Sequence, residues 1–161
     1  MKILVVSDSH RYNENIEIIK SKVGKLDMVI HCGDTEGTED YIRSLFPCTV
    51  CIVAGNNDYF SNIPQEATFT IGEKRVMVTH GHRHHVNAGV DMLVRDAINK
   101  KADIVIFGHT HRPMIEHRDG VIVLNPGSIS YPRQADRRPS YIIIETNSRG
   151  DVLYTLNYIK R

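Results

Sequence analysis

The sequence predicts an α/β fold of two mixed β-sheets packed face to face, with helices on the outside. Two observations carry this. The first half alternates short β-branched runs with segments of helical periodicity, the signature of parallel β-α units. The last third is strand-like throughout and broken by turn residues, which implies antiparallel strands and therefore mixed sheets. The chain has 161 residues, enough to bury roughly two-thirds of its unfolded surface. No linker, repeat or low-complexity segment interrupts it, so residues 1–161 are expected to form one domain.

In chain order, residues 2–7, 28–32 and 49–54 are the β-branched runs. Between them, 13–23 and 37–46 carry apolar residues at helical spacing, such as Ile16, Ile19 and Val23. Asn13 is the expected N-cap of the first helix and Gly24 its stop. After Pro64 the period becomes two: 67–71 and 75–79 form a hairpin turned at Gly72-Glu73, followed by a helix over 88–100 and a strand over 103–107. The tail reads as strands 113–117, 121–124, 140–146 and 151–159, broken at Asp119-Gly120, Asn125-Pro126-Gly127 and Arg149-Gly150.

Composition excludes more than it suggests. Twenty Lys and Arg against nineteen Asp and Glu leave a formal charge of +1, and there is no run of five like charges. Neither nucleic acid nor an acidic membrane has an electrostatic case. The opening MKILVVSDSH holds an apolar run of only four residues, too short for a signal-peptide core. No stretch approaches the ~20 apolar residues of a spanning helix, and the expectation is a cytoplasmic protein. Of the three cysteines, Cys48 and Cys51 enter an apolar run and have no second pair to match. They are expected to be buried structural thiols rather than a redox pair or half a zinc site.

The polar residues follow a pattern. ILVV runs into Ser7-Asp8-Ser9-His10, MVI into His31-Cys32-Gly33-Asp34, and CIVA into Gly55-Asn56-Asn57-Asp58. VMV runs into Thr79-His80-Gly81-His82, and IVIF into Gly108-His109-Thr110-His111. The carboxyl ends of parallel strands share one edge, where loops form the ligand crevice, so these five tips are expected to converge. Side chains two apart in an extended backbone point the same way, which would aim Asp8 with His10, and His109 with His111, at one point. Imidazoles, carboxylates and one amide, without thiolate, suit Mn, Fe, Ni, Co or Zn and suit a structural zinc badly. The seven candidate ligands Asp8, His10, Asp34, Asn56, His80, His109 and His111 exceed one tetrahedral ion and match two ions sharing a carboxylate. The surplus positive charge would attract an anion. A phosphate ester fits, because two ions ~3.5–4 Å apart can bind its oxygens and hold a hydroxide for in-line attack. Singly, each residue reads as a turn, a cap or a satisfied histidine; the reading rests on the five motifs together.

Asp8-x-His10, Gly33-Asp34, Gly55-Asn56, His80 and Gly108-His109-x-His111, in this order, resemble the motif series of the calcineurin-like metallophosphoesterase superfamily, specifically its small prokaryotic phosphodiesterases. The resemblance spans about residues 1–130. It implies a four-layer α/β/β/α sandwich and two divalent metal ions, manganese foremost. Metal 1 would be held by Asp8, His10, Asp34 and His111, and metal 2 by Asp34, Asn56, His80 and His109. It implies a phosphodiesterase acting on a small-molecule phosphate ester, with Asp34 and Asn56 at the reacting centre.

Two positions depart from the family pattern. Asn57 stands where many members have a histidine thought to protonate the leaving group, and Arg11 stands where glycine is usual. His82 is the candidate to replace the missing acid; His84 and His85 read as polar loop, His31 and His117 as structural. Arg11 reads as a solvated loop residue. Asn125 to Ser128 reads as architectural, with Arg133 and Arg138 as candidate anion contacts. The alternative function is a non-catalytic protein-binding scaffold, as in a eukaryotic relative of this fold that serves a protein-sorting coat with an altered metal site. Here His10 and His111 are both in place, which favours the enzyme. A protein phosphatase or nuclease would want a recognition insert or a basic stripe, and neither is present. The residues leave the oligomeric state open, a homo-oligomer included.

Overall fold

The computed structural model describes residues 1–59, 61–147 and 149–159. One sheet is built on three parallel strands, β1 (Lys2–Val6), β2 (Met28–His31) and β3 (Thr49–Ile52). The other begins with the hairpin β4 (Glu66–Ile71) and β5 (Lys74–Thr79) and adds β6 (Ile104–Ile106), β7 (Pro113–Arg118) and β8 (Val121–Pro126) in the order β4-β5-β6-β8-β7. There β5, β6 and β8 are parallel and the two edges antiparallel. The chain then returns to the first sheet with the antiparallel strands β9 (Ser140–Thr146) and β10 (Val152–Tyr158), giving β10-β9-β1-β2-β3. Three helices, α1 (Glu14–Val23), α2 (Glu39–Leu45) and α3 (Asp91–Asn99), complete the architecture.

Three apolar clusters correspond to the three interfaces of a four-layer α/β/β/α sandwich. Ile3, Val5, Ile30, Val76, Val78, Ile104, Ile106 and Ile142 fill the space between the sheets. Leu4, Val6 and Val29 meet Ile16, Ile19 and Ile42 of α1 and α2. Met77, Val105 and Phe107 meet Leu93, Val94 and Ala97 of α3. Central strands are thus buried on both faces, which is why ILVV and IVIF are continuous runs and not alternating ones.

The elements lie where the periodicity puts them, with ends trimmed. The runs 49–54 and 103–107 narrow to Thr49–Ile52 and Ile104–Ile106, because the backbone leaves the ladder to form the loops at their tips. The helix expected over 88–100 starts at Asp91, after a short 3₁₀ turn at His82–His84. Asn125 and Pro126 are not a break: they pair with Met114 and Pro113 as the end of β8. Asn13 occupies the N-cap position but makes no capping bond; its amide reaches Arg11 O at 3.5 Å instead. Cys48 and Cys51 are half-buried, not buried. Cys48 packs toward the helices and Cys51 toward the other sheet, so the thiols point apart.

Candidate metal centre

All five motifs meet at the tips of β1, β2, β3, β5 and β6, but not by strand alternation. Five of the seven candidate ligands have left-handed backbones: Asp8 (φ 55°), His10 (45°), Asp34 (58°), His109 (67°) and His111 (57°). The pairs expected to project together from extended chain instead sit on tight curls, since the ladder has ended and each loop must turn its side chain back over the sheet edge. A left-handed non-glycine residue costs on the order of 1 kcal/mol, and its concentration here marks a geometry that the surroundings enforce. Two motif glycines are required by close approach: a Cβ at Gly55 would overlap the Asp34 carboxylate, and one at Gly108 would overlap Ser7 Oγ.

The seven side chains form two adjoining groups. His111 Nε2 lies 3.2 Å from Asp8 Oδ1 and 3.2 Å from His10 Nε2. On the other side, His80 Nε2 lies 3.1 Å from Asn56 Oδ1 and 3.2 Å from His109 Nδ1. Asp34 Oδ2 sits between, 3.7 Å from His10 Nε2 and 3.5 Å from His80 Nε2, so one carboxylate oxygen faces both groups. Among the described residues, Asp8-His10-His111 and Asp8-Asp34-His80 each bring three ligand atoms within 4.8 Å of one another. Asp8 belongs to both, which the motif series alone did not indicate.

The protonation logic of these contacts points to cations. His80 Nδ1 lies 2.7 Å from Cys32 O, and His111 Nδ1 lies 2.6 Å from Tyr131 O. A carbonyl only accepts, so both Nδ1 atoms carry the hydrogen and both Nε2 atoms present lone pairs. His10 Nδ1 is likewise backed by Glu36 Oε1 at 2.7 Å. The inward atoms are therefore lone pairs facing lone pairs, and the fully buried Asp8 Oδ1 has no hydrogen-bond donor. Converging buried acceptors without donors are costly unless a cation lies among them. Imidazole, carboxylate and amide donors fit divalent Mn, Fe, Ni, Co or Zn, and imidazoles backed by carbonyl or carboxylate are the usual arrangement around a metal.

The electrostatics follow. Burial pushes the Asp8 carboxyl up, but His111 and His80 outweigh it and hold it low. Burial also opposes ionisation of Asp34, yet the neighbouring His80 and the hydrogen bonds from Asn57 hold it well below the usual carboxylate range. Burial pushes His80 down, and Asp34 and Asp8 carry it up.

His82 stands beside the centre, its ring 5.4 Å from His80 and 6.2 Å from His109. Burial, with His80 and His109, pushes its imidazole down to about 4. Asn57, in the position of the usual histidine, donates to both Asp34 oxygens, from N at 2.9 Å and Nδ2 at 2.7 Å. Asn125 ties to Gly108 O, and Ser128 and Ser130 donate to Asp8 O, so this turn braces the ligand loops. Arg138 does not face the centre: it pairs with Asp136 and lies over Tyr158. Arg133 lines the neighbouring cleft, as does Arg137, which the sequence did not single out.

Two bracing residues escaped the sequence reading. Buried Asp58 accepts from Asp34 N, Gly55 N, Glu36 N and Thr35 Oγ1 at 2.7–3.1 Å, locking two ligand loops together. Glu36 orients His10. Both look like turn residues in sequence, and apart from Gly55 their partners lie more than twenty residues away in the chain.

Comparison with known proteins agrees with this geometry. The model of the calcineurin-like phosphoesterase superfamily domain matches residues 1–149. A Bacillus subtilis protein named Probable metallophosphoesterase YsnB is 37% identical over 145 residues, 89% of this chain and 83% of that protein. Phosphodiesterase MJ0936 of Methanocaldococcus jannaschii is 31% identical over 147 residues, 79% of this chain and 83% of that one. Among solved structures, a predicted phosphoesterase of Streptococcus pneumoniae TIGR4 superposes with a TM-score of 0.82 at 30% identity, covering 98% of this chain and 88% of that one. Zinc-complexed Vps29 of Entamoeba histolytica shares the fold, with a TM-score of 0.76 at 23% identity over 98% of this chain and 99% of that one. The chain belongs to the calcineurin-like phosphoesterase superfamily.

Proposed function

We propose that the chain acts as one domain, residues 1–161, and is a phosphodiesterase that hydrolyses small-molecule phosphate esters at a dinuclear centre. Its ions are divalent, manganese foremost, with Ni, Fe, Co or Zn as alternatives. The observation that carries this is the convergence of inward lone pairs from His10, His80 and His111 on Asp34 and on the buried Asp8 Oδ1, which has no hydrogen-bond donor. In this reading Asp8, His10, Asp34 and His111 hold one ion, Asp34, Asn56, His80 and His109 the other. Two such ions, when bound, supply a water-derived nucleophile at neutral pH and offset charge on the phosphoryl oxygens.

The chain's own groups do the rest. Asp34, fixed by Asn57 and Asp58, keeps the two groups of ligands in register. His82, with its ring 5.4 Å from His80 and 6.2 Å from His109, stands in for the missing acid or adds a further contact to the ester. With Asn57 in the position of the usual acid, esters with good leaving groups are the natural substrates. The binding-platform alternative is set aside because the ligand set is complete. No helix among the described residues is long and apolar enough to cross a membrane, and the three free cysteines accord with a reducing, cytoplasmic setting.

The test is hydrolysis of bis-p-nitrophenyl phosphate and of p-nitrophenyl phosphate by metal-free protein given Mn, Ni, Zn or Mg in turn. Turnover with at least one metal, faster on the diester, is expected. Silence with every metal would sink the proposal.

A further inference from the structure

A cleft of about 1020 Å³ opens beside the centre, with His10 and His111 in its wall. Four arginines line it: Arg11, Arg112, Arg133 and Arg137. The single carboxylate in its lining, Glu36, is already engaged by His10 at 2.7 Å and faces Arg11 Nε at 3.7 Å. The chain as a whole is nearly neutral, +1, so this is a local concentration of charge and not general basicity. No carboxylate among the described residues pairs with Arg112, Arg133 or Arg137, whereas Arg118 and Arg138 each have one.

The cleft is built, not incidental. The loop carrying Arg133 and Arg137 is fastened to a candidate metal ligand from both sides: His111 Nδ1 donates to Tyr131 O at 2.6 Å, and Arg133 N donates to His111 O at 2.9 Å. Arg137 is held in a left-handed turn, φ 48°. Aromatic rings continue the wall outward: Tyr131 stands edge-on to His10 at 5.5 Å, and Tyr12 edge-on to Tyr131 at 5.5 Å. Both tyrosines are exposed, 60% for Tyr12 and 47% for Tyr131, leaving surface on which a base can stack.

We infer that this cleft is a second anion subsite, and that the substrate is a short nucleotide ester carrying a further phosphate besides the one that is cleaved. The inference rests on the phosphodiesterase reading above. The reacting phosphate belongs to the metal ligands. Guanidiniums with no partner are suited to grip another phosphate bidentately, while the tyrosines take the base.

The test compares the dinucleotide pApA with ApA, which lacks the terminal phosphate, using Mn-loaded protein and kcat/KM. The expected preference for pApA is roughly tenfold. The double variant Arg133→Ala/Arg137→Ala should bring the ratio close to one, and Arg118→Ala, on the distant β7, should leave it as it is. Circular dichroism confirms that the variants fold. Equilibrium dialysis of pApA against metal-free protein gives a readout independent of turnover: binding should weaken with added salt and be lost in the double variant. Turnover of bis-p-nitrophenyl phosphate together with equal rates on pApA and ApA would overturn the subsite and leave the phosphodiesterase standing. Silence on every ester, with metal-free binding that depends on the two arginines, would support the subsite and overturn the phosphodiesterase. No binding and no preference would overturn the subsite.

Discussion

The tips of β2 and β5 each carry a histidine with no exposure at all, His31 in one sheet and His80 in the other. Their surroundings run in opposite directions. His31 Nδ1 accepts from Gly33 N at 3.2 Å and its Nε2 meets Ser9 Oγ at 3.1 Å, so both nitrogens are satisfied by a neutral ring. Burial pushes it down to about 4. His80 spends its hydrogen on Cys32 O, and its Nε2 faces the other candidate ligands, Asn56 Oδ1, Asp34 Oδ2 and His109 Nδ1. Burial pushes it down too, but Asp34 and Asp8 carry it up. Burial and position therefore do not distinguish a ligand from a structural histidine; the partner of the second nitrogen does.

The largest effect expected from this contrast is on activity. His80→Ala or Asp34→Ala should lower metal-dependent hydrolysis of bis-p-nitrophenyl phosphate by more than about 100-fold, beyond the loss of an orienting partner. His31→Gln should keep most of its activity. Equal losses in both would erase the distinction.

Stability against pH separates the same pair. His31 is lowered in the folded state, so its contribution is present above 6.5 and is lost as pH falls toward about 4, amounting to about 3 kcal/mol. His31→Gln should flatten that acid limb in chemical denaturation. His80 is raised, so in metal-free protein its contribution is present below 6.5 and is lost as pH rises through its folded value.

Metal itself should stabilise the fold, because the carboxylates come from one sheet and His80, His109 and His111 from the other, and only the packed sheets unite them. At a hundredfold excess over its dissociation constant, Mn should add about 2.7 kcal/mol, read as a rise in Tm that a chelator reverses. An unchanged Tm would mean that the ligands do not bridge the sheets. Smaller still, Glu36→Gln should weaken metal binding by about 10–100-fold in a competition titration, since it leaves His10 in place with a poorer acceptor behind it.

How much of this the sequence shows follows from the range of each signal. Apolar runs ending in Asp, Asn and His are local, so the layers, the strand tips and the seven candidate ligands were legible. Their convergence was legible but its mechanism was not: alternation predicts extended tips, and the chain uses left-handed curls at Asp8, His10, Asp34, His109 and His111. A backbone conformation rare for these residues leaves no mark in composition. Asp58 and Glu36 carry no such local mark, because apart from Gly55 their partners lie 22–26 residues away and both resemble ordinary turn residues. Sequence does not separate Arg138 from Arg137, because one residue of loop geometry decides which guanidinium faces the cleft.

The central claim is that acceptors meet at these strand tips in order to hold two ions. Anomalous diffraction at the manganese edge from crystals of active, Mn-loaded protein tests it most directly. Two peaks are predicted about 3.5–4 Å apart, one bound by Asp8, His10, Asp34 and His111, the other by Asp34, Asn56, His80 and His109. A single peak, or peaks away from these seven side chains in protein that still hydrolyses its ester, would contradict it.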